Sequence, residues 1–193
     1  MVRLDELTGE DLDSVDLVDV KVSGYYDYFE ISNSVIKNCD FTGSNLQGVD
    51  IENTMIKNSN FSNVELTERS YKNIEFIDST LVGVDFAGSF LENVEFKNCN
   101  LDYSNFSGCN LKKVKFISCK LNDSAFNEVK WKGLEFLDST LKDVEFYKTK
   151  LVNLDVSTCD ISGLKVSVDA LKGLVVNYNQ ALDLSLLLGI KIK

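Results

Sequence analysis

The chain has 193 residues, 30 acidic and 20 basic side chains, a net charge of −10 at neutral pH, and neither histidine nor proline. Without histidine the commonest general acid or base is missing, and the five cysteines offer no CxxC pair for zinc, so an enzyme, a metal site or a bound cofactor is not expected. No apolar run reaches the roughly 20 residues that span a bilayer, and the acidic N-terminus has no secretion-signal pattern; one cytoplasmic domain is the expectation.

In residues 1–30, Leu12, Leu17 and Val22 keep a step of five, and nine residues then separate Val22 from Ile31 across Gly24-Tyr25-Tyr26-Asp27-Tyr28-Phe29. This predicts an irregular N-terminal cap over 1–30 in which Tyr25, Tyr26, Tyr28 and Phe29 plug an open core.

From Ile31 to Val176 every fifth residue is apolar, thirty positions without an exception. A helix repeats its apolar residues at 3 and 4 and a strand at 2, so a strict period of five calls for a repeat architecture with one short side per five residues. Two residues before each centre stands a second regular position, small or aliphatic, as in Ser34, Cys39, Ser44, Val49 and Thr54. It holds all five cysteines, Cys39, Cys99, Cys109, Cys119 and Cys159, which therefore read as core fillers. From Phe76 to Phe146 the centres alternate between Phe and Leu or Trp131. Like residues thus face each other across a four-sided coil, with bulk matched so that the narrow interior fills.

Residues 177–193 predict a short helical cap with Asn177 or Asn179 at its start and Gly189 at its end. Leu182, Leu184, Leu186, Leu187 and Leu188 exceed what one rod end can bury, which suggests a homodimer interface or, alternatively, a monomeric lid.

Blocks such as Cys39-Asp40-Phe41-Thr42-Gly43, Ser44-Asn45-Leu46-Gln47-Gly48 and Ser104-Asn105-Phe106-Ser107-Gly108 resemble the A(D/N)LXX motif of the pentapeptide-repeat family, over about three quarters of the chain. The resemblance implies an all-β fold, a right-handed quadrilateral β-helix with four repeats per coil, with tail-to-tail pairing known among its members. It also implies a function, because the Qnr quinolone-resistance and MfpA members act on DNA gyrase and topoisomerase IV as mimics of duplex DNA.

Charge tempers the mimic. Nine acids in residues 1–30 stand against Arg3 and Lys21, which leaves a net −3 for everything after them. A rod of thirty repeats, rising by ~4.8 Å per coil, would be about 36 Å long. A duplex of that length carries about 20 phosphate charges. Local faces are more distinctive. One side collects Glu75, Asp78, Glu95, Glu135, Asp138 and Asp155, with Lys97 and Lys115 among them. Another collects Lys112, Lys113, Lys130, Lys132, Lys150 and Lys172. On the acidic side Ile77, Ile117 and Leu137 take an outward position that is polar elsewhere. They serve either a protein partner or lateral sheet packing.

Two departures from the family picture stand out. The repeat carries no loop insertion, and Arg69 occupies an inward position, where it either pairs with Glu68, Asp50 or Glu52 or escapes to solvent. The sequence thus points to a non-enzymatic rod that offers a partly acidic surface to a protein, a type II topoisomerase by the resemblance, without direct nucleic-acid or membrane contact. A generic interaction or scaffold module is the alternative.

Overall fold

A computed structural model describes residues 11–22, 24–26 and 29–191. Each five-residue block forms one side of a square coil, and residues twenty apart lie one above the other, as in the register Ile51↔Tyr71, Tyr71↔Leu91, Leu91↔Leu111 and Leu111↔Trp131. We number the sides by their centres: side 1 carries Ile31 and Ile51, side 2 Ile36 and Ile56, side 3 Phe41 and Phe61, side 4 Leu46 and Leu66. The fold is the right-handed quadrilateral β-helix, every strand pairing parallel.

Strands occupy sides 1 and 2. They are β1 (Leu12–Asp13), β2 (Asp16–Val18), β3 (Phe29–Ser32), β4 (Val35–Lys37), β5 (Val49–Lys57), β6 (Ser70–Ile77), β7 (Phe90–Lys97), β8 (Asn110–Ile117) and β9 (Lys130–Leu137). From β5 onward one strand runs continuously across both sides. Sides 3 and 4 are held by single bridges, such as Asn60↔Thr80, Thr80↔Asn100 and Glu65↔Asp85.

The corners explain the outward composition. Two residues past most centres the backbone turns through the left-handed region, as at Asn33 (φ 50), Asn53 (φ 50), Asn73 (φ 53), Asn93 (φ 54) and Gly133 (φ 71). Asn, Asp and Gly tolerate that conformation best, which is why the repeat is rich in them. The asparagines also stack: Asn53 Nδ2 donates to Asn33 Oδ1 (3.2 Å), Asn73 to Asn53 (2.7 Å) and Asn93 to Asn73 (2.9 Å). At the foot Asn33 donates to Asp13 (2.7 Å) and holds that carboxyl below the usual carboxylate range.

Inside, two phenylalanine columns meet. Phe76, Phe96, Phe116 and Phe136 stack nearly parallel on side 2, with centroids 4.9, 4.8 and 5.0 Å apart. Phe86, Phe106, Phe126 and Phe146 stack on side 4, and the two columns touch edge to face, for example Phe106 against Phe116 at 5.5 Å and 83°. Such offset and T-shaped contacts add to burial itself.

The coil starts before residue 31. Leu12 pairs with Ile31 and Leu17 with Ile36, at an offset of nineteen. The Val22 amide donates to the Asp40 carbonyl and the Tyr26 amide to the Asn45 carbonyl. Tyr26, buried and edge-on to Phe29, therefore stands in the column of Leu46 as the side-4 centre. The interval between Val22 and Ile31 is one short side of four and one of five, so the first coil has nineteen residues. Tyr25 is exposed, and Tyr28 lies outside the described residues.

At the other end α1 (Tyr178–Ser185) lies across the last coil. Asn177 caps it, accepting from the Gln180 amide, while the Gln180 side chain accepts from the Asn177 amide. The buried Gln180 Nε2 donates to the Val156 and Cys159 carbonyls at 2.9 and 2.7 Å, which closes the open end of the tube with backbone-like hydrogen bonds. A 3₁₀ turn, Leu186–Leu188, follows, with Gly189 left-handed at its end (φ 72).

Arg69 reaches outward: its Nε donates to the Gln47 carbonyl of the preceding coil at 2.7 Å, in an exposed setting, and Asp50 accepts from the Ser70 amide. The five cysteines are free thiols in the core. Burial pushes Cys109 up to about 12 and raises Cys39 and Cys159 as well.

Truncating a column member, Phe106→Ala, should cost about 3–5 kcal/mol in denaturant unfolding, the range for a buried ring. None of the five thiols should react with a disulfide reagent at pH 8 until the chain is unfolded, because each is buried in the core; fast labelling of the native protein would contradict this packing.

Candidate interaction surface

Side 2 brings the acidic residues singled out in the sequence into columns. Glu75, Glu95, Lys115 and Glu135 stack in register, one position before their phenylalanine centres, and Ile77, Lys97, Ile117 and Leu137 stack one position after them. Asp78 and Asp138 sit at left-handed corners beyond this second column, and Asp155 lies on the next coil, paired with Val175.

The carboxylates are not bare. Lys97 Nζ reaches Glu95 at 2.9 Å and Glu75 at 3.4 Å, and Lys115 reaches Glu135 at 3.3 Å. Its hydrogen bond to Glu95, with the Glu75 charge behind it, raises the Lys97 ammonium above the usual range. These are partly exposed pairs worth little in stability, yet they cancel most of the column's charge. What remains is a stripe of Ile77, Ile117 and Leu137, the last 41 % exposed, edged by Asp78, Asp138 and Asp155.

Side 1 changes sign along the rod. Asp50, Glu52 and Glu92 stand toward its N-terminal end and Lys112, Lys113, Lys130, Lys132, Lys150 and Lys172 toward the other, with Lys112 paired to Glu92, whose carboxyl it lowers. Side 4 carries its own pairs, Lys148 with Glu128 and Lys165 with Glu145.

Of the five leucines of the cap, Leu182, Leu186 and Leu187 are exposed, together with Ile190 and Tyr178. Leu184 does not join them. It packs against the core as part of the lid, because α1 turns that face onto the last coil. The Leu188 side chain lies outside the described residues. Among the described residues no group of three acids or thiols converges as a metal site, and no helix is long and apolar enough to cross a membrane.

The family model described as "Pentapeptide repeat region" matches residues 29–106 and 104–174. The chain belongs to the pentapeptide-repeat family. Several solved structures match this chain in part. The full-length structure of QnrB1, a plasmid-mediated fluoroquinolone resistance protein, is 20% identical with a TM-score of 0.41, over 94% of this chain and 100% of that one. HetL, involved in heterocyst differentiation regulation in the cyanobacterium Nostoc sp. strain PCC 7120, is 10% identical with a TM-score of 0.34, over 91% and 95%. A pentapeptide-repeat protein of the Arabidopsis thaliana thylakoid lumen is 15% identical with a TM-score of 0.23, over 58% and 72%. Among curated protein sequences none matches.

The left-handed corner fails at two β-branched positions. Among the positions two past a centre from 33 to 173, Thr158 and Val168 are the only β-branched residues, and neither is left-handed; Val168 instead opens a 3₁₀ turn, Val168–Leu171. Branching at Cβ makes the left-handed region costly, so the corner takes another form at these two positions.

Replacing Gln180 with Ala should lower unfolding free energy by about 1–3 kcal/mol, the cost of stranding buried carbonyls, and should raise amide exchange across α1 while leaving β6 to β8 unchanged. Equal loosening of both regions would remove its role as the end plug.

Proposed function

We propose that this pentapeptide-repeat protein works without catalysis, as a rod that docks side 2 against another protein, and that the partner is a type II topoisomerase. The observation that carries the docking face is the aligned stripe Ile77, Ile117 and Leu137 with ion-paired Glu75, Glu95, Lys115 and Glu135 beside it. Aliphatic surface next to neutralised pairs is suited to a protein surface, where charge selects and orients and apolar burial holds. Asp78, Asp138 and Asp155 supply the unpaired acids at the rim.

The choice of partner is supported by membership of the family and by the acidic balance of the chain, −10 overall. The pairing of Glu75, Glu95 and Glu135 with lysines favours a shaped contact over imitation of a phosphate backbone by bulk charge. A cytoplasmic location and lowered quinolone susceptibility follow as the cellular side of this reading. We further propose that Leu182, Leu186 and Leu187, with Ile190, pair two copies end to end, which would double the rod.

Added to a gyrase supercoiling assay with and without ciprofloxacin, the protein should inhibit or protect, and Ile117→Asp with Leu137→Asp should lose the effect while keeping the β-sheet dichroism of the parent. Neither inhibition nor protection would eliminate the topoisomerase and leave a scaffold with another partner. Light scattering on Leu186→Asp/Leu187→Asp separately tests the pairing, which predicts a dimer mass for the parent and a monomer mass for the variant.

A further inference from the structure

The parallel ladder opens once. β5 through β9 pair strand on strand across sides 1 and 2, and β9 is the last strand of the sheet. Among the described residues no backbone hydrogen bond joins 130–137 to 150–157, although sides 3 and 4 stay bridged at the same level through Thr140↔Asp160 and Glu145↔Lys165. Above the gap pairing resumes, with the Asn153 amide donating to the Gly173 carbonyl and Asp155 bridging Val175. The coil is therefore splayed on two sides and closed on the other two.

Trp131 and Thr158 account for the opening. Trp131 stands in a side-1 column otherwise made of Ile, Tyr and Leu, in register with Leu111, and its indole is larger than any of them. It is only partly buried, and its Nε1–H donates to the Lys150 carbonyl at 2.7 Å, the acceptor that the backbone of a regular coil would use. At the far end the Asp138 amide donates to Thr158 Oγ1 at 3.0 Å, where earlier corners pair with a carbonyl, as Ser118 does with Leu137.

On side 1 the gap is a cleft of about 820 Å³ lined by Lys130, Trp131, Lys132, Gly133, Lys150 and Val152. That volume lies within the ~300–1,000 Å³ of ligand-binding clefts. Glu128 holds Lys148 at the rim, but Lys130, Lys132 and Lys150 form no ion pair among the described residues. The cleft thus combines the edge of a strand, three unneutralised ammonium groups and an aromatic wall.

We propose that this cleft docks an extended acidic segment of another protein, which pairs its backbone with the outer edge of β9 at Lys130–Gly133 and sets its carboxylates against Lys130, Lys132 and Lys150. A strand edge offers donors and acceptors in alternation, which a peptide backbone answers in kind. A phosphodiester chain, with acceptors alone, would leave the β9 carbonyls unmatched. Apolar side chains of such a segment would rest on Trp131 and Val152.

Trp131 is the only tryptophan, so its emission reports on the cleft directly. Titrating the full-length protein with a capped nonapeptide of alternating Glu and Val should give a saturable emission change, together with slowed amide exchange at Trp131 and Gly133. The combined variant Lys130→Glu, Lys132→Glu and Lys150→Glu should weaken binding by roughly tenfold or more. Reversing Lys112 and Lys113, which lie on the same side outside the cleft, should not. Parallel titrations with inorganic phosphate and with oligothymidylate test for a plain anion site or a nucleic-acid site. The proposal falls if either of them reproduces the emission change, if the peptide gives no saturable change or no amide protection, or if reversing Lys112 and Lys113 weakens binding equally.

Discussion

A tube of square section admits one large side chain per side per coil, and the backbone must bend sharply after each. Both demands fall on the same five residues. The centre must be apolar and of a size that stacks at the spacing of parallel strands, and the residue two places on must accept a positive φ. Where both hold, as from β5 to β8, phenylalanines lie ring on ring at about 5 Å and asparagines hydrogen-bond up the corner. Each coil touches only its neighbours, so the structure tolerates a local fault without losing the whole.

That explains which parts of the fold were legible. A period of five with alternating Phe and Leu centres implies four sides and opposed columns before any coordinates, because no other regular structure has that period. The nineteen-residue first coil was hidden: Tyr26 sits four residues after Val22, and a reading that counts in fives passes over it. The apolar character of the aromatic run is plain in the sequence, but its role as one regular centre rests on the hydrogen bond from the Tyr26 amide to the Asn45 carbonyl. The faults near the C-terminal end were written in the sequence and not read. Thr158 and Val168 are β-branched where a left-handed corner is required, and Trp131 is oversized for its column.

The candidate surface was legible by column but not by charge state. Spacing of twenty places Glu75 beneath Glu95, and Ile77, Lys97 and Ile117 in one line. It does not say that the Lys97 side chain bends toward the glutamates of both its own coil and the one below. Long side chains choose among rotamers according to neighbours two coils deep, and that choice turns an apparent acidic face into a mostly neutral one with an aliphatic stripe. Likewise the leucines of the cap look equivalent in sequence, yet the helical turn sends Leu184 inward and leaves Leu182, Leu186 and Leu187 outside.

Net charge is a poor guide to partner here because it is spread so unevenly. Most of the excess belongs to residues 1–30, whereas the rod beyond them is close to balanced, several of its acids and bases held in pairs one coil apart. Paired charges on adjacent coils fall off quickly with distance and are screened within about 8 Å at physiological salt. On the two proposals made above, a partner would meet the rod through contacts at short range: aliphatic stripe on side 2, lysines and an open strand edge on side 1. The two surfaces share β9, whose Lys130–Gly133 half faces the cleft and whose Leu134–Leu137 half ends the stripe. On those proposals, a segment inserted beside the first half would lie against the same strand that ends the stripe, so the two contacts would share one rigid element.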